Sequence, residues 1–441
     1  MQPDGLYRKV LIIAYYFPPM GLSGVQRTAK FAKYLPKYGW NPTVLTVSPA
    51  GYYAFDDTLL AEVQQVGVEI VRTPSLDANR LFKRRKTVKM PSERLRKILQ
   101  FCGDSVLIPD TKIGWKSGAV KAAAQLLERE QFDLLFATAP PQTDFLIGAA
   151  LKKRFKLPLV VDYRDAWLDY PFKYFPTPAH RMVHKHLEKR VLKAADRVIV
   201  THRRVKESLL RRYPTLNYHE VTILSQGYDP EDFGHDGQPR TGRTGRMRIT
   251  HSGTFYADRS PRVLLRALAS VLREYPKLRG RIELNLVGTV RDEDRAQVRK
   301  LNLQESVTFQ GYLSHRESIQ QLLTSDVLWF VLDNDYQTPG KLYEYFGARR
   351  PILASVVDGY TRQLIQESGA SVCLPLKDQE AHRAAILDLF SRFEQQRLPQ
   401  PHEGFAERFD RLRLTGELAK QFELLMDYER NTLVLLREKS E

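Results

Sequence analysis

Short runs of aliphatic and β-branched residues alternate along the chain with stretches whose apolar positions recur every three to four residues. Runs of the first kind, bounded by turn residues, predict buried strands, and the second kind predict helices packed on them. In the first half the strands are expected at Val10 to Tyr16, Thr43 to Val47, Val68 to Val71, Leu134 to Ala137, Leu159 to Tyr163 and Val198 to Thr201. Helices are expected between them over Gly24 to Lys37, Lys116 to Arg129 and Thr143 to Arg154. The pattern pauses after Tyr228, in a polar, glycine-rich stretch nearly devoid of aliphatics. It restarts with strands at Ile249 to Ser252, Ile282 to Val287, Val307 to Phe309, Val327 to Val331, Ile352 to Ala354 and Ser371 to Leu374, and ends on a helical pattern from Arg411 to Leu436.

Strand-helix alternation of this kind predicts an α/β fold with two doubly wound parallel sheets. The expected division is 1–228 for the first domain, 229–247 for a linker and 248–410 for the second domain, with 411–441 packing back on the first. Ligands of such sheets bind at the carboxyl ends of the strands, so the cleft between the domains is the expected site.

Composition changes this picture in two places. The two cysteines, Cys102 and Cys373, are too few for a disulfide scaffold or a zinc ribbon, which sets the expectation of a reducing, cytoplasmic site. Lys9 and Arg8 precede an apolar run, but that run is short and ends in Phe17-Pro18-Pro19, which reads as a first strand and not as a leader. The net charge of +17 is concentrated: nine Lys/Arg against one Glu lie between Arg80 and Lys97, and eleven against three acids between Arg181 and Arg212. Leu81, Phe82, Val88 and Met90 interleave with the first cluster, a mixture that suits an anionic membrane surface. The second cluster reads as a solvated helix face.

Three strand-loop-helix junctions carry candidate chemistry. In the first, Ser23 and Gln26 have capping-box spacing, and Gly21 and Gly24 allow a close approach to the backbone, though a plain turn explains them equally well. The spacing is not that of a dinucleotide fingerprint. In the second, Ser260 is expected to cap and Pro261 to open a helix, placing Arg259 at the helix N-terminus, with an arginine pointing into water as the bland alternative. In the third, Thr338 is expected to cap and Pro339 to open a helix whose first turn holds Lys341, with Glu344 one turn on. A lysine there opposes the helix dipole unless an anion binds, in which case ammonium and free amides both stabilise a phosphate. Glu344 is unsuited to phosphate but accepts hydroxyl bonds, as from a ribose diol. A nucleoside diphosphate satisfies both residues; a surface Lys-Glu pair is the alternative.

With these junctions the chain resembles the GT-B fold glycosyltransferases, specifically the retaining nucleotide-sugar enzymes of family four. The resemblance rests on nine blocks in order, among them KVLIIAYYFPPMGLSGVQR at the start, PDTKIGW at 109–115, VVDYRDAW at 160–167, HSGTFYADRS at 251–260 and PGKLYEYFGARRPILA at 339–354. It implies that Glu344 binds the donor ribose, that Lys341, the Gly340 amide and Arg259 contact the diphosphate, and that Tyr312 and Leu313 read the base. It also implies that Gly21, Gly24 and Gly253 line the phosphate and sugar, and that Asp165 faces the acceptor, with a structural carboxylate beside Arg164 as the competing role. Tyr336 stands where the family has a first glutamate, Thr254 where many members have arginine, and Gln226 where asparagine is common.

The expected function is therefore metal-independent, retaining transfer of a sugar from a UDP- or GDP-type donor to a hydroxyl of a glycan or lipid-linked saccharide, in cell-surface polysaccharide biosynthesis. No cofactor and no specific nucleic acid are expected, and the place expected is the cytoplasm, peripheral to the inner membrane face through Arg80 to Lys97. Asp333-Asn334-Asp335 reads as a polar loop, and His180, His184 and His186 as no metal set. The alternatives are a sugar-nucleotide epimerase of the same fold and a non-catalytic polyanion-binding protein.

Overall fold

The computed structural model describes residues 7–21, 23–49, 55–76, 101, 103, 105–170, 173–234, 245–255, 259–337 and 339–438, with side chains described only to 428 in the last helix. The chain divides into two compact units: 1–225 together with 411–441, and 226–410. The Arg80 to Lys97 segment, Thr338 and the Ser23 side chain lie outside the described residues.

The first unit contains β1 (Arg8–Ile13), α1 (Ser23–Tyr34), β2 (Trp40–Val47), α2 (Asp57–Gln65), β3 (Glu69–Thr73), α3 (Lys116–Arg129), β4 (Leu134–Ala139), α4 (Thr143–Phe155), β5 (Leu159–Tyr163), α5 (Pro178–Ala194), β6 (Arg197–Val200), α6 (Arg203–Arg212) and β7 (Val221–Ile223). The second contains β8 (Met247–Ser252), α7 (Arg262–Glu274), β9 (Ile282–Val287), α8 (Asp292–Lys300), β10 (Val307–Gly311), α9 (His315–Leu323), β11 (Val327–Leu332), α10 (Gly340–Ala348), β12 (Ile352–Val356), α11 (Tyr360–Gln366), β13 (Ser371–Leu374) and α12 (Gln379–Glu394). Helix α13 (Arg411–Glu438) belongs to the first unit.

Both sheets are wholly parallel, in the orders β3-β2-β1-β4-β5-β6-β7 and β10-β9-β8-β11-β12-β13. In each, the first strand of the unit is third from one edge and the order reverses beside it, which is the switch point where the loops after neighbouring strands part. Helices cover both faces, so the strands read as continuous apolar runs: all six residues of β4, β9 and β11 are buried. Leu414, Leu418, Phe422 and Leu425 of α13 enter the same core as Trp40, Val44 and Phe136, with the Phe422 ring 5.1 Å from Trp40.

The structure differs from the sequence expectations at several ends. Pro261 and Pro339 are the residues before α7 and α10 and not their first residues, and neither helix has a side-chain cap bond from that position. Ser260 still accepts from the Arg262 amide, at 3.3 Å. The end of the expected first domain and the start of the expected linker belong to the second unit: Tyr228 is buried against Phe233, and Asp229 caps a short 3-10 turn over Pro230–Phe233. Helices α2, α5, α6, α8, α9, α11 and α12 fall where the periodicity gave no explicit helix. Among the described residues no helix is long and apolar enough to cross a membrane.

Candidate functional site

In the second unit the residues singled out by sequence gather at the carboxyl ends of β8, β10 and β11. The loop after β8 packs against the loop after β9: the Gly253 amide donates to the Val287 carbonyl at 2.9 Å, and a Cβ on Gly288, at φ +116°, would lie 2.2 Å from the Gly253 oxygen. Only glycine fits there. Arg259, six residues on, is buried and does not point into water. Its Nε bonds Asp333 Oδ1 at 2.9 Å and its Nη2 bonds Gln337 Oε1 at 2.9 Å, so the loop after β11 holds the guanidinium in place. Asp335 of the same loop turns the other way and accepts from the Thr361 amide.

Helix α10 presents the third junction. Lys341 Nζ lies 2.8 Å from Glu344 Oε2, i to i+3 across the first turn. This is not a surface pair: Glu344 is 2% exposed, and its Oε1 is buried without a hydrogen-bond partner. Nδ1 of His315, at the start of α9, lies 3.8 Å from Oε1, and the other ring nitrogen of His315 meets Asp232 Oδ2 at 3.0 Å. Burial alone would lower the His315 pKa, but the bond to Asp232 and the Glu344 charge outweigh it and leave it raised. Tyr312 and Leu313 lie on the loop after β10; Tyr312 is 56% exposed and Leu313 half-buried.

Behind the loops, the rings of His251, Phe255 and Trp329 form a wall, with His251 stacked on Phe255 at 4.4 Å. His251 Nδ1 meets the Trp329 carbonyl at 3.0 Å, while Nε2 is buried without a partner. Burial, with the nearby Arg259 and Lys341 charges, holds its pKa near 4, so the ring is neutral. Tyr345 ties the two central strands together: its hydroxyl accepts from the Ser252 amide at 2.7 Å and donates to the Trp329 carbonyl at 3.2 Å. Tyr336, at the position of the family's first glutamate, is 39% exposed.

The first unit places its candidates at the ends of β1 and β5. Gly21 lies where a Cβ would come within 3.0 Å of the Phe55 backbone, and Gly24 is exposed in the first turn of α1. Arg164, buried after β5, donates to the carbonyls of Gly24 and Pro140, joining three strand-end loops. Asp165 is half-buried beside it, and its charge is among those acting on that guanidinium. His184 is a core residue whose Nδ1 accepts from the Trp167 indole at 3.0 Å; His180 faces the Ser105 carbonyl, and His186 is exposed.

Sequence reasoning overlooked four groups. Arg27 of α1 and Asp162 of β5 form a bidentate ion pair with both side chains 1% exposed. Asp144, buried at the start of α4, accepts from the Tyr15 amide at 2.8 Å, and burial raises its pKa well above the usual carboxylate range. His251 and the His315–Asp232 pair are the others. The available signal was an acid inside the apolar run LVVDY and an arginine on the apolar face of α1.

Residues 24–215, within the first unit, match the glycosyl transferase 4-like domain family. No curated protein matches the sequence. Solved structures of similar fold include a glycosyltransferase from Rickettsia africae (14% identity, 95% of this chain and 98% of that one, TM-score 0.64). A sucrose-phosphate synthase from Thermosynechococcus elongatus is similar at 16% identity over 96% and 100% of the two chains, TM-score 0.63. HepE of Anabaena, solved in complex with UDP, is similar at 12% identity over 94% and 99%, TM-score 0.61. The two parallel-sheet units and these likenesses show the GT-B fold, and the domain match makes residues 24–215 similar to a glycosyl transferase 4-like domain.

Proposed function

We propose that the protein transfers a sugar, with retention at the anomeric carbon, from a nucleoside diphosphate sugar of the UDP or GDP type to a hydroxyl of a glycan or lipid-linked saccharide. The observation that carries this reading is the Lys341–Glu344 pair: a partly exposed ammonium in the first turn of α10, bound to a buried carboxylate with one oxygen unpartnered. A bound diphosphate would take over the ammonium together with the free amides of α10, and a ribose hydroxyl would donate to Glu344. Arg259, oriented by Asp333 and Gln337, adds a second cation for the charge that develops on the departing phosphate. These groups act without a metal. The base would lie against Tyr312 and Leu313, and Gly253 and Gly340 would let the phosphates reach backbone amides. Asp165, with Gly21 in the loop after β1 and Gly24 in the first turn of α1, would serve the acceptor and reacting sugar. The acceptor reading, a lipid-linked saccharide at the cytoplasmic membrane face in cell-surface polysaccharide synthesis, is supported by the Arg80 to Lys97 composition alone.

Calorimetric titration of UDP, GDP and ADP tests the donor site. One nucleotide is expected to bind, and Lys341→Ala and Glu344→Ala each to weaken it; failure of all three to bind the folded protein would remove the reading. Tyr336 favours one second reading, a non-catalytic protein of this fold, which would bind nucleotide poorly and release no nucleoside diphosphate from any donor.

A further inference from the structure

The eleven cations between Arg181 and Arg212 read from sequence as an ordinary solvated face; the structure gives them a different form. Thr177 and Pro178 start α5, which turns His184, Glu188, Val191 and Leu192 inward to the core at i, i+4, i+7 and i+8. Glu188 is the sole carboxylate of the helix, and it is fully buried, hydrogen-bonded by Tyr213 at 2.7 Å. The outward face of α5 therefore has no acid of its own. Met182, His186, Lys189 and Lys193 line up along it, flanked by Arg181 and Lys185, and all six are exposed. From Arg181 to Lys193, at 1.5 Å per residue, this makes a cationic track about 18 Å long.

Its N-terminal end is apolar. Met182 is 71% exposed and Val183 43%. Ser105 adjoins it through the His180 contact at 3.1 Å, beside Val106, 78% exposed, and Phe101, whose ring lies 5.2 Å from that of the exposed Tyr174. Five of the large apolar side chains exposed among the described residues thus collect where the cations begin.

We propose that this face of the first unit docks on an anionic lipid surface, with the cations of α5 at the headgroup phosphates and Met182, Val183 and Val106 seated at the acyl boundary. A polyphosphate chain would match the cations but would give exposed Met and Val side chains no favourable place. A membrane interface gives both halves of the patch a partner. The inference goes beyond the transfer reaction and does not depend on which sugar or nucleotide the second unit binds.

Flotation of the full chain with vesicles of neutral phosphatidylcholine, or of the same lipid with about a third phosphatidylserine, tests it. Binding is expected to the anionic vesicles and to weaken with salt. Lys185→Glu with Lys189→Glu and Lys193→Glu should reduce it a hundredfold or more, given about fivefold for each cation removed. Met182→Ser with Val183→Ser should reduce it about tenfold at unchanged charge. Circular dichroism and nucleoside diphosphate titration of each variant establish that it is folded and that the second unit is unaffected. Absence of wild-type binding, or wild-type binding by the triple α5 variant, overturns the proposal. Loss confined to Arg84→Ser, Arg85→Ser, Lys86→Ser also overturns it and assigns the contact to the other basic segment. Insensitivity to Met182→Ser/Val183→Ser combined with equally tight binding of duplex RNA would make the face a general polyanion surface instead.

Discussion

Two ion pairs at the strand ends of the two sheets are built from similar charges and behave as opposites. In the first unit, Arg27 makes two bonds to Asp162 and donates to the carbonyls of Leu224, at 3.0 Å, and Ser225, at 2.6 Å, while Asp162 also accepts from Thr138 at 2.8 Å. Its guanidinium further lies 4.8 Å from the Phe31 ring. In the second unit, the Lys341–Glu344 pair has one short contact, a lysine whose side chain is 26% exposed and a carboxylate oxygen with no hydrogen bond. A buried charge can be held only if its hydrogen-bonding capacity is used. The first pair uses it within the protein; the second leaves capacity unused, which is what a binding site needs before its ligand arrives.

If the contrast is right, breaking the first pair should damage the fold most. Arg27→Ala leaves the Asp162 carboxylate buried with only Thr138, and is expected to destabilise the first unit by about 3 to 5 kcal/mol in chemical denaturation. A loss below about 1 kcal/mol would show that the pair is not what holds α1, β5 and the chain after β7 together. Lys341→Ala should do the reverse: a loss of nucleoside diphosphate affinity of roughly 30- to 100-fold, the scale of a charge-assisted phosphate contact, with little change in the denaturation midpoint. Glu344→Gln keeps the shape and the hydroxyl-accepting oxygen but removes the charge. It is expected to weaken nucleotide binding about tenfold and to leave stability unchanged, because the carboxylate is incompletely hydrogen-bonded before ligand binds. Equal effects of all three substitutions on folding would collapse the distinction between the pairs.

The sheets were legible because buried parallel strands are continuous apolar runs. Leu159–Tyr163 and Ile282–Val287 needed no correction, whereas β2 and β8 extend further toward their N-termini because pairing with a neighbouring strand continues past the last aliphatic residue. Helices such as α8, with Ala296 and Val298 its only apolar residues, bury so narrow a stripe that periodicity carries little signal. Lys341 and Glu344 were legible because a helix brings i and i+3 together from sequence alone. Asp333 holding Arg259, 74 residues away, and Asp162 holding Arg27, 135 residues away, were not, because the fold and not the local pattern makes them neighbours. What the sequence did carry was the anomaly itself: a charge at a position where every neighbour of the same face is buried must have a partner somewhere.

The smallest expected effect sharpens the comparison further, because the second pair has a titrating neighbour. His315 is bonded to Asp232 and faces Glu344, and its pKa in the folded protein is raised. A histidine with a raised folded pKa contributes stability that is fully present below its unfolded value near 6.5 and is lost as pH rises through the folded value. Denaturation of the second unit should therefore become easier as pH rises from 6 to 9, and His315→Gln should remove that part of the slope. A slope that persists unchanged in His315→Gln would mean that His315 does not carry it, and would place the second unit's pH response elsewhere than at the start of α9.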